Sequence, residues 1–186
     1  DVTRATLMLG GEGISDPNFD LSNAKAIKEK LEQWAEFAGN SYKPAKKSEL
    51  SVDDKILQSA LHRSLKEGKE AMEQMLFRTA FERLFFQTQR ALKDYLRKNK
   101  INQHLLNEFI EMQTKVISPF CPFAAEEIWS NTRKEGFISV AKWPEYDESK
   151  IDKKAEAIAT LVENTRKDIA EILKHAKIEK PRKITL

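Results

Sequence analysis

Apolar residues recur at helical spacing along almost the whole chain, in blocks separated by short polar stretches. Ala24, Ile27, Leu31, Trp34, Ala35 and Ala38 share one face of a helix. Ser22 or Asn23 caps it, and Gly39-Asn40 stops it. Residues 40–50 form a polar linker. Ser51-Val-Asp-Asp then gives a capping signal, with Asp54 in place of the usual Glu or Gln. Ile56, Leu57, Ala60, Leu61 and Leu65 make the stripe of a second helix that ends near Gly68. The third helix is the longest, from about Glu70 to Lys98. Met72, Met75, Leu76, Ala80, Leu84, Phe85, Leu92, Tyr95 and Leu96 hold its period, and such residues at this spacing are core material.

The chain is organised around the stretch from Met112 to Trp129. Leu106, Phe109, Ile110, Val116 and Ile117 run at helical period into a two-proline corner; Ala124, Ala125, Ile128 and Trp129 run out of it. Pro119 is expected to push Ser118 out of the α region and end the first arm. Pro122 suits the first turn of the second arm, where its missing N–H has no partner to lose. Beyond Thr132, Gly136 to Pro144 reads as extended, either an edge strand or a strap across the bundle. A final helix, roughly Asp152 to Ala176, buries Ala155, Ile158, Val162, Thr165, Ile169, Ile172 or Leu173, and Ala176. Residues 180–186 begin another extended piece. At the start, Asp1 to Leu9 is a short structured piece. Gly10-Gly11-Glu12-Gly13 is a flexible connector lacking the lysine of a phosphate loop, and Ser15-Asp16-Pro17-Asn18 is turn chemistry. The fold class is therefore all-α: a helix bundle with a short extended strap near 137–143. Both ends look cut from a longer protein.

At 186 residues with 40% apolar content, the chain is long enough for one sizeable core. A single cysteine excludes an internal disulfide framework and suits a reducing compartment. No apolar run approaches the roughly 20 residues of a membrane span and no secretory leader opens the chain, so a cytoplasmic location is expected. The net charge of +3 says less than its distribution. Residues 1–39 hold 4 Lys/Arg against 7 Asp/Glu, 40–100 hold 14 against 8, 101–149 hold 4 against 8, and 150–186 hold 10 against 6. Arg90, Lys93 and Arg97 stand opposite the apolar stripe of the third helix, and Lys98 and Lys100 extend the charge past its end. A solvated face, helped by the dipole at a helix C-terminus, is the plain reading; phosphate contact is the other.

Catalytic machinery is not legible. His62, His104 and His175 are scattered over polar or mixed helix faces, and no Cys/His cluster has metal-ligand spacing. Glu126 and Glu127 point about 100° apart around a helix, so they are no acid/base pair. Cys121 has no local base and reads as a buried structural thiol.

Pro119-Phe-Cys-Pro-Phe-Ala-Ala-Glu-Glu-Ile-Trp129 resembles the Pro-Phe-x-Pro-His-x-x-Glu-Glu-Leu/Ile-Trp signature of class I aminoacyl-tRNA synthetases, with Phe123 departing from the usual His. Glu135-Gly-Phe-Ile-Ser-Val-Ala-Lys-Trp-Pro-Glu-Tyr-Asp147 resembles the Ser-(Val/Ile)-x-x-Ala-x-Trp-Pro element that follows it in that family. Arg78 to Tyr95 is similar to its long helix, and Asp1-Val-Thr-Arg4 to the tail of the segment just after the KMSKS loop. The Ser15–Asp20 opening, the Glu135–Ser139 run and the last helix look most like the leucyl enzymes of the archaeal and eukaryotic cytosolic branch. Valyl and isoleucyl enzymes share the helical domain.

The resemblance implies a connector from the catalytic domain over 1–20, a helical anticodon-binding domain over 21–149, and a long C-terminal helix with the start of a truncated domain over 150–186. It implies a helical domain that docks the body of tRNA(Leu) by phosphate and shape contacts, so that the 3′ end reaches the catalytic domain of the same chain. Arg90, Lys93, Arg97, Lys98 and Lys100, with Lys46 and Lys47 as outliers, are the expected phosphate contacts; Pro119, Pro122 and Trp129 are the structural corner. The HIGH and KMSKS motifs are absent from this stretch, so no catalytic residue, cofactor or metal is expected in it. The parent enzyme is expected to use ATP with Mg. Neither membrane nor DNA is an expected partner, and a helical protein-interaction adaptor is the competing class.

Overall fold

Ser51 opens α3 (Val52–Glu73) as its sequence predicts. Its hydroxyl accepts the Asp54 N–H, while the Asp54 carboxylate accepts the Ser51 N–H, a complete capping box. A computed structural model describes residues 1–176 apart from 15, 17, 99, 133 and 134. Among these the chain is helical with no strand. α1 (Val2–Gly10) and α2 (Leu21–Ser41) precede α3. α4 (Phe77–Phe81), a π-helical turn (Glu82–Gln87) and α5 (Thr88–Tyr95) then follow as one rod. α6 (Gln103–Ile117) and α7 (Pro122–Asn131) are the arms of the corner, and α8 (Lys153–His175) comes last.

α2 buries Ala24, Ile27, Leu31, Trp34 and Ala38, the face its periodicity marks. Its cap is Asp20, whose carboxylate takes the Ser22 N–H at 2.7 Å, and its last residue is Ser41, so both ends differ from the sequence reading. The aspartate wins because its carboxylate is the stronger acceptor at a helix N-terminus.

The corner is packed into the core. Phe120 stacks on Phe81 at 4.8 Å between ring centroids, and Ile117, Cys121, Ala125 and Ile128 are fully buried. Pro122 occupies the first turn of α7, and Lys115 lies 5.5 Å over the ring of buried Trp129. Ser118 stays in the α region (φ −59°, ψ −34°), against the expectation from Pro119. The corner closes instead by N–H bonds from Phe120 and Cys121 back to the Ile117 carbonyl. The carboxylate of Asp1 accepts the Ala124 N–H at 2.7 Å, fastening the chain start to the head of α7.

The region read as two helices meeting at Gly68 is different. α3 runs through Gly68 to Glu73, and the break falls at Met75, which adopts φ 58°. Gly68 is a contact residue: a Cβ there would meet Leu84 Cγ and Cδ2 at 2.4 Å. The π turn itself is tied down by Gln113 of α6, fully buried, whose amide donates to the Leu84 carbonyl (2.7 Å) and the Thr88 hydroxyl (2.8 Å). A π turn leaves a carbonyl off the regular ladder, and a buried amide satisfies it.

The strap over 137–143 carries one 3-10 turn, Ile138–Val140, so it is neither wholly extended nor an edge strand. Glu126 holds it by accepting the Ile138 and Ser139 N–H groups. Further on, Asp147 donates its N–H to Nδ1 of His62 at 3.1 Å. His62 is therefore a buried clamp on α3, not a surface histidine; the expectation failed because a polar group on a helix reads as exposed until something lies over it. α8 differs most. Ala155 packs, and Arg63 grips Glu156 with two bonds of 2.6 Å, but Ile158, Val162, Ile172 and Ala176 are exposed and Thr165, Ile169 and Leu173 only half-buried. Its principal neighbour among the described residues is α3, and Ala155 is its one buried residue among them. The expected extended piece at 180–186 and half of the Ser15–Asn18 turn lie outside the described residues.

Two outcomes follow from these contacts. Gly68→Ala gains about 1 kcal/mol of helix propensity but forces a clash with a buried leucine, at about 1–3 kcal/mol. A lower denaturation midpoint is expected, with less than additive loss when combined with Leu84→Ala. Strict additivity would show that the two positions do not press on each other. His62 is held below the usual histidine range by burial first and by Lys150 second, against Glu108 and Asp147. The unfolded chain takes up the proton near pH 6.5, so this stability is complete above that value and is lost as pH falls toward the folded one. The thermal midpoint should drop by a few degrees from about pH 7 to about pH 5. His62→Gln, which keeps an acceptor, should flatten that drop; an equal drop in the variant assigns it elsewhere.

Candidate nucleic-acid interface

α5 buries Thr88, Leu92 and Tyr95, which turns Arg90, Lys93 and Asp94 outward. Arg97, Lys98 and Lys100 follow in the turn leading to α6. These cations are not equivalent. Arg90 pairs with Glu82 at 2.9 Å, Arg97 with Asp94 at 3.1 Å, and Lys98 with Asp53 at 2.9 Å. Lys93 and Lys100 are exposed, and among the described residues no carboxylate lies within ion-pairing distance of either. Lys46 and Lys47, in the linker, are exposed in the same way. The expected cationic ridge is thus split into a paired part and an open part. Exposed pairs are worth only about 0–1 kcal/mol, so a phosphate can displace a carboxylate from Arg90 or Arg97 at small cost. The open lysines carry no such cost.

A buried polar knot brings the linker lysines and Lys100 toward one end of the bundle. The Tyr95 hydroxyl donates to Asp54 Oδ1 at 2.5 Å and accepts the Asn102 N–H at 2.7 Å. Asn102 caps α6 by accepting the Leu105 N–H, and its amide donates to the Ser48 hydroxyl at 3.0 Å. Asp54, Tyr95 and Asn102 are all buried. Burial pushes the Asp54 carboxyl up, but the bonds from Tyr95, Ser51 and Asn102 outweigh it and hold it below the usual carboxylate value. Burial, and then the Asp54 contact, raise the Tyr95 phenol. The pair therefore stays carboxylate and phenol throughout the neutral range. Since Ser48 touches Asn102, Lys47 lies one residue from the knot and Lys100 two, each step about 3.8 Å of chain.

The linker has a second anchor. Asn107 donates its amide to the Lys43 carbonyl at 2.6 Å, and Gln103 donates to the Ser41 carbonyl at 2.8 Å. An open polar groove beside it is lined by Tyr42, Lys43, His104, Asn107, Glu108 and Glu111. Two carboxylates in that lining make it a poor phosphate seat. None of the knot was read from the sequence; the available signals were a tyrosine on an apolar face and an asparagine just before a helix.

Nucleophile chemistry has no support in this arrangement. Cys121 is buried, which pushes its thiol up to about 11. Among the described residues, no group of three or more His, Cys, Asp or Glu side chains is placed to hold a metal ion, and no helix is long and apolar enough to cross a membrane.

Residues 54–185 match the family model described as the anticodon-binding domain of tRNA ligase. The chain is 37% identical over 178 residues to the leucine–tRNA ligase of Aeropyrum pernix, covering 93% of this chain and 18% of that protein. Its identity to the leucine–tRNA ligase of Methanothrix thermoacetophila is 32%, over all of this chain and 20% of that one. For the enzyme of Methanocaldococcus jannaschii it is 35%, over 90% and 17%. The chain thus spans about a fifth of the length of the curated relatives it matches. Among solved structures, the agnB2 LeuRS of Agrobacterium radiobacter K84, in a ternary complex with tRNA and LeuAMS, superposes with a TM-score of 0.70. That match covers 81% of this chain and 20% of the other at 16% identity, and concerns the fold alone. An all-α bundle, a two-proline corner that buries Phe120 and Cys121, and a family match over most of its length converge: the chain belongs to the anticodon-binding domain family of tRNA ligases.

Proposed function

We propose that this chain is the tRNA-binding helical domain of a leucine–tRNA ligase, holding the tRNA body so that its 3′ end enters the catalytic domain of the same polypeptide. One observation carries the reading: exposed lysines without carboxylate partners gather near the head of α6, in a chain whose relatives are leucine–tRNA ligases from several archaea. Residues 1–20 serve as the connector, 21–149 as the tRNA-binding bundle, and 150–186 as the lead into a further domain. Lys46, Lys47, Lys93 and Lys100 act as the primary phosphate contacts. Arg90, Arg97 and Lys98 join by exchanging a carboxylate for a phosphate. Recognition of this kind reads backbone shape, not base edges. The whole enzyme uses ATP with Mg in the cytoplasm, with neither membrane nor DNA as partner.

The relatives favour leucine over valine or isoleucine as the amino acid. A helical adaptor is the competing class, and it would draw on the apolar stripe of α8, where Leu161 and Ile172 are about two-thirds exposed. Salt separates the two, because phosphate binding releases counterions and apolar docking does not.

Titrating the chain with tRNA at rising salt should give a steep loss of affinity. Lys46→Glu, Lys47→Glu and Lys100→Glu together should lower the slope of log K against log salt by about 2–3, at roughly 0.7–0.9 per contact. The melting temperature should barely move, since these side chains are exposed. Arg90→Glu with Arg97→Glu should weaken binding less. Wild-type affinity and slope in the lysine triple variant would sink the footprint.

A further inference from the structure

We infer that the pair of pins holding the linker to α6, Asn102 on Ser48 and Asn107 on Lys43, is a positioning device that presets Lys46 and Lys47 for the phosphates. This rests on the tRNA reading above and names the residues that give it geometry. Residues 42–50 have no regular secondary structure, and the residues from Lys46 to Leu50 make no backbone hydrogen bond among the described contacts. Left to itself, such a segment samples many conformations, at about 1–2 kcal/mol of entropy per residue when it is ordered. Here the ordering is done in advance from both sides. At one end Asn107 makes a two-way bond with the Lys43 backbone, 2.6 Å to the carbonyl and 3.4 Å from the N–H. At the other, Asn102 grips Ser48 at 3.0 Å. Lys46 and Lys47 lie between the two pins.

The two pins stand on one helix, at its head and one turn in, so the span between them is fixed by α6 itself. Asn102 cannot drift, because its N–H is held by Tyr95, its side-chain oxygen caps Leu105, and Tyr95 is in turn held by Asp54 of α3. The line Asp54–Tyr95–Asn102–Ser48 therefore refers the linker to the core of the bundle. Asn107 is itself steadied by Gln103, whose amide donates to it at 2.8 Å. Both asparagines spend their amides on the linker, and neither is needed as a charge. A binder with preset lysines loses less freedom on meeting a rigid RNA, which raises affinity without adding a contact.

The distinction between presetting and contact can be measured. Ser48→Ala with Asn107→Ala breaks both pins, one at its linker end and the other at its α6 end, and leaves the buried knot intact. In this variant the backbone amide order parameters of Lys46 and Lys47 should fall from about 0.8 to below about 0.6 in the free chain. The dissociation constant for total tRNA should rise about tenfold. The salt slope should stay that of the wild type, because the same lysines still reach phosphates; Lys46→Glu with Lys47→Glu lowers the slope instead. Ser48→Thr, which keeps the hydroxyl, should restore the Ser48 pin and bring part of the affinity back. Unchanged order parameters, or unchanged affinity, overturn the positioning role. Failure of the unaltered chain to bind tRNA at all overturns the tRNA reading itself, a result visible before any variant is made.

Discussion

Leu84, at the centre of the π turn, meets two other helices at once, and the placement of α5 depends on it. Its side chain presses on the bare backbone of Gly68 in α3, and its carbonyl is claimed by Gln113 of α6. One turn earlier, Phe81 stacks between Phe85 and Phe120 of the corner. The extra residue of a π turn rotates everything beyond it by about 100° relative to a regular helix. That rotation sets which faces of α5 turn inward, and so brings Tyr95 to Asp54 while Arg90 and Lys93 face out. The polar knot, and through it the linker, inherit their position from this one irregular turn.

The electrostatics of the candidate interface are a compromise between solubility, stability and attraction for a polyanion. A fully open ridge of seven cations would repel itself in the free protein. Pairing Arg90, Arg97 and Lys98 with carboxylates relieves that repulsion, and because the two arginine pairs are largely exposed they lock nothing in place. The arginines, with planar forks suited to phosphate, retain most of their usefulness after a carboxylate is displaced. Of the open lysines, Lys47 and Lys100 lie one and two residues from the knot. On the proposed reading, long-range attraction comes from all the cations, while the geometry of contact is supplied by the lysines of the pinned linker.

Much of the bundle was legible in the sequence. The Ser51 box, the buried face of α2 and both arms of the corner are local patterns, and local physics decided them. What escaped depends on neighbours distant in sequence. Gly68 reads as a helix stop unless Leu84 is known to lie against it. Met75 carries no mark of a left-handed turn, since glycine or asparagine is the usual occupant. The π turn has no periodicity of its own to detect. The stripe on α8 was read correctly as apolar, yet periodicity reports only which face is apolar and never what covers it. At the interface the type and position of the cations were visible, but their pairing was not. Lys98 meets Asp53 only because α3 and the end of α5 are brought together, and Glu82 reaches Arg90 across the phase shift of the π turn.

The location of the open lysines also follows from the direction of the helices. Lys100 precedes by chain, and Lys46 and Lys47 approach through the Ser48–Asn102 bond, the amino end of α6, a helix of fifteen residues whose first turn contains no acidic side chain. The aligned peptide dipoles place positive potential at that end, and nothing in its own first turn cancels it. α3 begins nearby but carries Asp53 and Asp54 in its first turn, and these are spent on Lys98 and on the knot. The field of α6 therefore adds to the lysines, while that of α3 is consumed internally. On the proposed reading, a phosphate approaching this end of the bundle meets side-chain charge and helix dipole acting together, so a domain of modest net charge need not be basic throughout to bind one.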